Sequence, residues 1–261
     1  MNLYKIGAVL AVIICVIALV FSYLTWQDKL DNVLATPEVE ETAAVDKKKD
    51  NKVEEENVDS VNVDGLTANM DEQLQEIFAD RNDQGDGLKF LIAGSAALES
   101  GEPGYAERLA VSLEDAYGEF IDVAVTSMEG TSEALASVDL SAGYDVVLLE
   151  PMTLMNNDRI AIEQEREHIR AFDARLTNEV ADAAIVLHPA QPIFGAGYYL
   201  AQITALSEFA GTNGYTYIDH WSAWPDTDDI GLKDYLTQDG LPNDKGAALW
   251  AQELEAYFIA N

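Results

Sequence analysis

Few side chains in this chain can do acid–base or binding chemistry, and most of those sit where a short apolar run ends. There are three histidines. His188 closes "DAAIVLH" and His220 follows "YTYID", whereas His168 lies in "EQEREHIRAF" among charged neighbours and reads as a solvated surface residue. Imidazole is the side chain best matched to moving a proton near neutral pH, so His188 and His220 are the candidate bases. Glu150, at the end of "YDVVLLE", is a candidate general acid or base whose behaviour depends on its burial. Trp221 and Trp224 in "HWSAWPD" offer flat faces to a sugar or another apolar plane. The competing expectation is that both pack as core or lid. No cluster of His, Cys, Asp or Glu has metal-ligand spacing, and neither metal nor cofactor is expected.

The elements that must position these residues follow from hydrophobic period. "LKFLIAG" (88–94), "FIDVAVT" (120–126), "YDVVLLE" (144–150), "DAAIVLH" (182–188) and "YTYID" (215–219) read as five strands, several too apolar for a half-exposed sheet. Between them "GYAERLAVSLEDAYG", "TSEALASV", "RIAIEQEREHIRAFDARLTNEV" and "YYLAQITALSEFAGTNG" carry apolar residues at three- and four-residue steps. The last segment, "NDKGAALWAQELEAYF", reads as a helix capped by Asn243. Strand–helix alternation of this kind predicts a parallel sheet covered on both faces by right-handed crossovers. In such sheets ligands bind beyond the carboxyl ends of the strands. The informative residues are therefore Gly94, Ser95 and Ala96, then Gly130, Glu150, His188, and Asp219 with His220.

Composition narrows the partners and places the N-terminus. The net charge is −32, from 47 acidic and 15 basic residues among 261. Phosphate binding is driven by Lys and Arg releasing counterions, so nucleic acid is excluded as an expected partner. One cysteine, Cys15, allows no intrachain disulfide. Residues 6–26, "IGAVLAVIICVIALVFSYLTW", are 21 uncharged residues, long enough as a helix to cross about 30 Å of hydrocarbon. Lys5 before this run and acidic residues after it predict a cytoplasmic segment 1–5, an uncleaved membrane anchor 6–26 and an external C-terminal domain. Residues 27–70 have 12 acidic and 5 basic residues, no aromatic residue and no sustained apolar period. They read as a disordered stalk, which leaves 71–261 as the folded domain.

"FLIAGSAALESGEPGYAERLAVSLEDAYG", "VTSMEGTSEAL", "YDVVLLEPMTLMNND", "YIDHWSAWPD" and "DGLPNDKGAALWA" follow one another in the order and spacing of the sequence blocks of the SGNH, or GDSL, hydrolases. The resemblance covers residues 86–260. It is nearest to a membrane-anchored Gram-positive branch of that superfamily. It implies a three-layer, flavodoxin-like α/β fold with a five-stranded parallel sheet in the order 2-1-3-4-5, and hydrolysis of acyl or O-acetyl esters. It also implies a serine nucleophile after the first strand, an Asp-x-x-His pair before the last helix, and an oxyanion hole with Gly and Asn contributions.

Residue by residue, the pattern departs at both essential positions. The Gly-Asp-Ser block becomes Gly94-Ser95-Ala96, which puts alanine in the nucleophile's place and leaves Ser95 one position early. Gly130 matches the oxyanion glycine, and Asn157 is the candidate oxyanion asparagine, competing with a role for Asn157 and Asp158 as caps of the following helix. Asp239 matches the orienting acid, but the histidine is deleted between Leu241 and Pro242. A serine without a base is a poor nucleophile. With strands about 4.8 Å apart, His188 and His220 would lie roughly 10 and 14 Å from the strand bearing Ser95. Three functions follow: a degenerate hydrolase site that binds a cell-envelope carbohydrate or acylated ligand; an esterase or O-deacetylase using Ser95 with His188 or His220; or a structural module of the envelope with no small-molecule pocket.

Overall fold

The computed structural model describes residues 61–260. The cytoplasmic segment 1–5, the anchor 6–26 and the stalk as far as residue 60 lie outside the described residues. Among those described, no helix is long and apolar enough to cross a membrane.

Five parallel strands form one sheet: β1 (Leu88–Ser95), β2 (Ile121–Met128), β3 (Val146–Leu149), β4 (Ala184–Leu187) and β5 (Thr216–Tyr217), in the spatial order β2-β1-β3-β4-β5. The strand order and the α/β class agree with expectation. Alternation along each strand then sorts side chains into two cores. Phe90 and Ile92 of β1, Val146 and Leu148 of β3, and Ala184 and Val186 of β4 face one helical layer. That layer contains α2 (Glu72–Gln84), α3 (Tyr105–Tyr117) and α7 (Asp244–Phe258). Leu91, Ala93, Val147, Leu149, Ile185 and Leu187 face the other, built on α5 (Ile162–Glu179) and α6 (Tyr198–Asn213). The helices bury residues at the spacing a single apolar stripe requires: Tyr105, Leu109, Leu113 and Tyr117 on α3, and Ile169, Phe172 and Leu176 on α5.

Two expectations need correction. The predicted stalk extends too far, because residues 61–70 are folded. They form α1 (Val63–Leu66) and bury Val63, Thr67 and Met70. Asn69 Nδ2 donates to Ala256 O (2.9 Å), and Ala260 N donates to Leu66 O (2.8 Å), so this segment is stitched to the end of α7. Val63, Thr67 and Met70 are buried at four- and three-residue steps, but the segment is too short for that spacing to stand out as a sustained period. The second correction concerns "TSEALASV". It forms a 3₁₀ turn (Ser132–Ser137) and not an α-helix, the usual outcome for so short a segment.

The sheet's amino end is held by one ion-pair network. Arg81 of α2 reaches Asp145 (2.8 Å), whose second oxygen accepts the Lys89 N–H (2.8 Å). Asp145 is buried, and hydrogen bonding to it raises the Arg81 pKa further. The opposite, carboxyl end is left to loops.

Candidate active site

The carboxyl ends of β1 and β3 are joined by a buried carboxylate. Glu150 Oε2 accepts the Ser95 N–H (2.8 Å), and Oε1 accepts the Met152 N–H (2.7 Å). Burial raises the Glu150 pKa against the opposing pull of these donors. Gly94 leaves room for this group, since a Cβ there would lie 2.7 Å from Glu150 Cβ and 3.1 Å from Oε2. Met152 is held in the left-handed region (φ 64°), a conformation that costs a non-glycine residue of order 1 kcal/mol. Glu150 is fully buried and does not line the cleft described below, so its position assigns it to fixing two loop backbones. The sequence expectation of a general acid or base is corrected accordingly.

Beyond these strand ends lies a cleft of about 550 Å³ bounded by Ser95, Ala96, Gly130, Gln191, Asp239 and Leu241, with Met128, Leu154, Met155 and Ile193 as apolar walls. The positions matched to nucleophile, oxyanion glycine and orienting acid thus meet in one place. Gly130 has φ 93°, which a residue with a side chain rarely adopts, and a Cβ there would meet nothing within 4 Å. Asp239 sits at the exposed tip of a tight turn in which Thr237 N donates to Leu241 O (2.7 Å) and Gly240 N to Thr237 O (3.1 Å). Ser100 Oγ donates to Pro242 O (2.6 Å), which fixes the chain where a histidine would have followed Leu241.

Ser95 and Ala96, at the end of β1, both line the cleft. Ala96 is exposed, whereas Ser95 is buried and its Oγ accepts the Ala97 N–H at 3.4 Å. Ser95 therefore caps the turn Ala96–Glu99. No histidine lines the cleft.

The two strand-end histidines are buried elsewhere. His188 follows β4 with the parity of Ala184 and Val186, so it points into the layer of α3 and α7. There its ring lies 5.9 Å from Tyr105 and 5.7 Å from Trp250. His220 stacks on Trp250 at 4.4 Å and 17°. Trp224 Nε1 donates to His220 Nδ1 (3.1 Å), so the His220 proton is on Nε2, which donates to Pro189 O (2.9 Å). Burial lowers the His220 pKa to about 3; burial, then the neighbouring His220, depresses His188. Both rings are fully buried and neither lines the cleft, which removes them as bases for Ser95. Tyr105 Oη, His188 Nε2 and Trp250 Nε1 are buried without hydrogen-bond partners in this aromatic cluster.

The remaining sequence candidates also move. Asn157 ends the short helix α4 (Thr153–Asn156) and does not line the cleft; α5 begins after Ala161, so neither Asn157 nor Asp158 caps it. The neighbouring Asn156 carries the structural role, accepting the Ser132 N–H (2.9 Å) and donating to Glu165 Oε2 (2.6 Å). His168 is half-buried, with Nδ1 2.8 Å from Ser132 Oγ, because α5 turns that face toward the 3₁₀ turn. Trp224 is a core residue. Trp221 is half-exposed beside a separate cleft that also touches Asp226 and Asp228, and its Nε1 donates to Ala190 O (2.7 Å). The indoles fill neither the Ser95 cleft nor its mouth.

No family model and no curated protein matches the chain. Solved structures do. A protein from Desulfitobacterium hafniense described as lipolytic and of the G-D-S-L family superposes with a TM-score of 0.52 at 16% identity, over 66% of this chain and 99% of that one. The psychrotrophic esterase EstA from Pseudoalteromonas sp. matches at 0.50 and 19%, over 64% and 93%. This chain has the SGNH hydrolase fold. Part of the tail fiber protein gp63.1 from E. coli phage G7C also superposes, with a TM-score of 0.54 at 13% identity, over 76% of this chain and 29% of that one. The fold by itself assigns no reaction; function lies in the chemistry of the cleft.

One cleft residue was not singled out from sequence. Gln191 donates from Nε2 to Gly240 O (3.1 Å), while its buried Oε1 has no partner. A carbonyl can only accept, so the nitrogen faces Gly240 and the oxygen turns away. A buried acceptor left open in this way costs about 1–3 kcal/mol. Gln191 lies three residues past His188, in the loop that leaves the carboxyl end of β4, and its position at a strand end is the one signal the sequence carries for it.

Proposed function

We propose that this protein is a membrane-anchored, extracytoplasmic SGNH-fold protein whose ester-hydrolase site has lost its chemistry and retains binding of a cell-envelope carbohydrate or acylated ligand. The observation that carries the reading is the methyl group of Ala96 at the exposed strand end, in a cleft without an imidazole. Attack on an ester carbonyl needs a nucleophile and a group to accept its proton. Ser95 is turned into backbone capping and both candidate histidines lie in the aromatic layer, so neither function is supplied. The open cleft supports ligand binding over a purely structural role. The uncharged run at residues 6–26 and the charge balance around it support the anchor.

The full chain assayed with p-nitrophenyl acetate is expected to show no turnover above buffer, unchanged in Ser95→Ala. Combining Ala96→Ser with a histidine inserted between Leu241 and Pro242 should create measurable hydrolysis. Robust wild-type turnover abolished by Ser95→Ala would overturn the reading. For the anchor, the expected result is a chain that stays with the membrane pellet after an alkaline carbonate wash and whose C-terminal domain is cut by protease added outside intact cells.

A further inference from the structure

A second cleft, of about 620 Å³, opens between the loop after β4 and the segment 221–228. That size is within the range of about 300–1,000 Å³ common for small-ligand sites. It shares no lining residue with the Ser95 cleft: Gln191 and Ile193 line that one, whereas Pro192 between them lines this one. Trp221 is half-exposed on it, and the ring is fixed. Nε1, its one polar atom, donates to the buried Ala190 O (2.7 Å), and Tyr199 packs against it with ring centres 5.5 Å apart. A tryptophan ordinarily keeps its polar tip for water; this one spends it inside and leaves ring carbon for the cleft. Asp226 and Asp228 are exposed lining residues whose carboxylates accept no hydrogen bond among the described residues. Gly195 N donates to Thr227 O (2.8 Å), which ties the two lining segments together. No Lys, Arg or His lines this cleft.

We propose that this second cleft is a saccharide subsite, in which a neutral pyranose unit lays its C–H face on Trp221 and donates hydroxyls to Asp226 and Asp228. The site goes beyond the reading above, since it stands whether or not the Ser95 cleft holds a ligand. A pyranose ring carries both complements the cleft asks for: apolar C–H groups on its face and hydroxyl donors around its edge. Stacking on an indole rewards the first, and an O–H donated to a carboxylate is of the stronger class of hydrogen bond. A purely apolar ligand would strip water from two carboxylates without replacing it, and an anion would meet like charge. A quaternary ammonium ion is best held by several aromatic faces, and Trp224, the other indole on the cleft, is only 6% exposed.

The test is isothermal titration of the full chain, kept free of sugar-headed detergent, with cellotetraose, tetragalacturonate and tetramethylammonium. Cellotetraose is expected to bind with a Kd on the order of 1 mM or tighter, and at least about tenfold tighter than either of the other two. Trp221→Ala should weaken it by about tenfold, and Asp226→Ala with Asp228→Ala by about fivefold. Ala196→Arg, which places a long side chain in the cleft, should abolish binding. Trp221→Ala also removes the bond to Ala190 O; the other variants leave the indole in place and keep the test decisive if that one does not fold. No binding of cellotetraose, equally tight binding of tetragalacturonate or tetramethylammonium, or an affinity left unmoved by Ala196→Arg and the paired aspartate changes would each overturn the proposal. Those outcomes leave the absence of ester turnover untouched, since that is measured separately.

Discussion

Single residues at this site are constrained by space and by unpaired hydrogen-bonding groups. Gly94 is the clearest case: a Cβ would stand 2.6 Å from Leu98 Cδ1 and 2.7 Å from Glu150 Cβ. Gly94→Ala should lower stability by about 1–3 kcal/mol in chemical denaturation. Gly211→Ala, inside α6 with open space around the added methyl, should instead be neutral or raise it by up to about 1 kcal/mol. Glu165 gives a pH signature. Burial raises its pKa to about 7, although Asn156 and Thr153 donate to it. Between its ordinary value of 4.5 and about 7 the folded chain therefore binds more protons at this residue than the unfolded chain does. Its contribution to stability is complete below that window and is lost as pH rises through it. His220 has the opposite sign: with its pKa lowered to about 3, stability is lost as pH falls below 6.5. Subtracting the pH–stability curve of Glu165→Gln from that of the wild type should isolate a fall on the order of 3 kcal/mol between pH 4.5 and 7. A flat difference curve would show that Glu165 stays ionised in the folded protein.

At the scale of elements, the turn before α7 both shapes the cleft and starts the helix. Asn243 Oδ1 accepts from Lys245 N (3.0 Å) and Gly246 N (3.1 Å), while Nδ2 donates to Asp234 O (2.9 Å). Asn243→Ala should cost about 1–2 kcal/mol in thermal or chemical unfolding, because it strands helix donors and frees the loop bearing Asp239. This cap was legible in sequence, as were the five strands, since a strand's apolar run and a cap's residue type are local signals. The direction of His188 was not. Being at a strand end put it on the right edge of the sheet, but β4 alternation and the position of Trp250 on α7 decided which side it entered. His168 shows the same limit in reverse: its charged neighbours in sequence concealed a partner, Ser132, that only the packing of α5 on the 3₁₀ turn supplies.

Across the whole molecule the dominant force to be managed is like-charge repulsion. The chain carries −32, and among the described residues the ion pairs are those of Arg81 with Asp145 and Asp182. Salt screens charges farther apart than about 10 Å at 0.1 M, so added sodium chloride should raise the melting temperature steadily from low ionic strength. A melting temperature that ignores or falls with salt would mean the acidic surface is already neutralised by its own contacts. The sequence by itself determined the α/β alternation, the parallel order implied by the family blocks, and the absence of serine and histidine at the two positions that ester hydrolysis needs. Period, composition and a missing residue are properties of the chain as written. Only the tertiary structure decided that Ser95 is a cap, that Ala96 faces the cleft, that the two histidines are locked in an aromatic layer, and that Gln191 Oε1 is left open. Each of those depends on which side of a strand a residue leaves from and on what a distant helix places opposite it, and no local pattern encodes that.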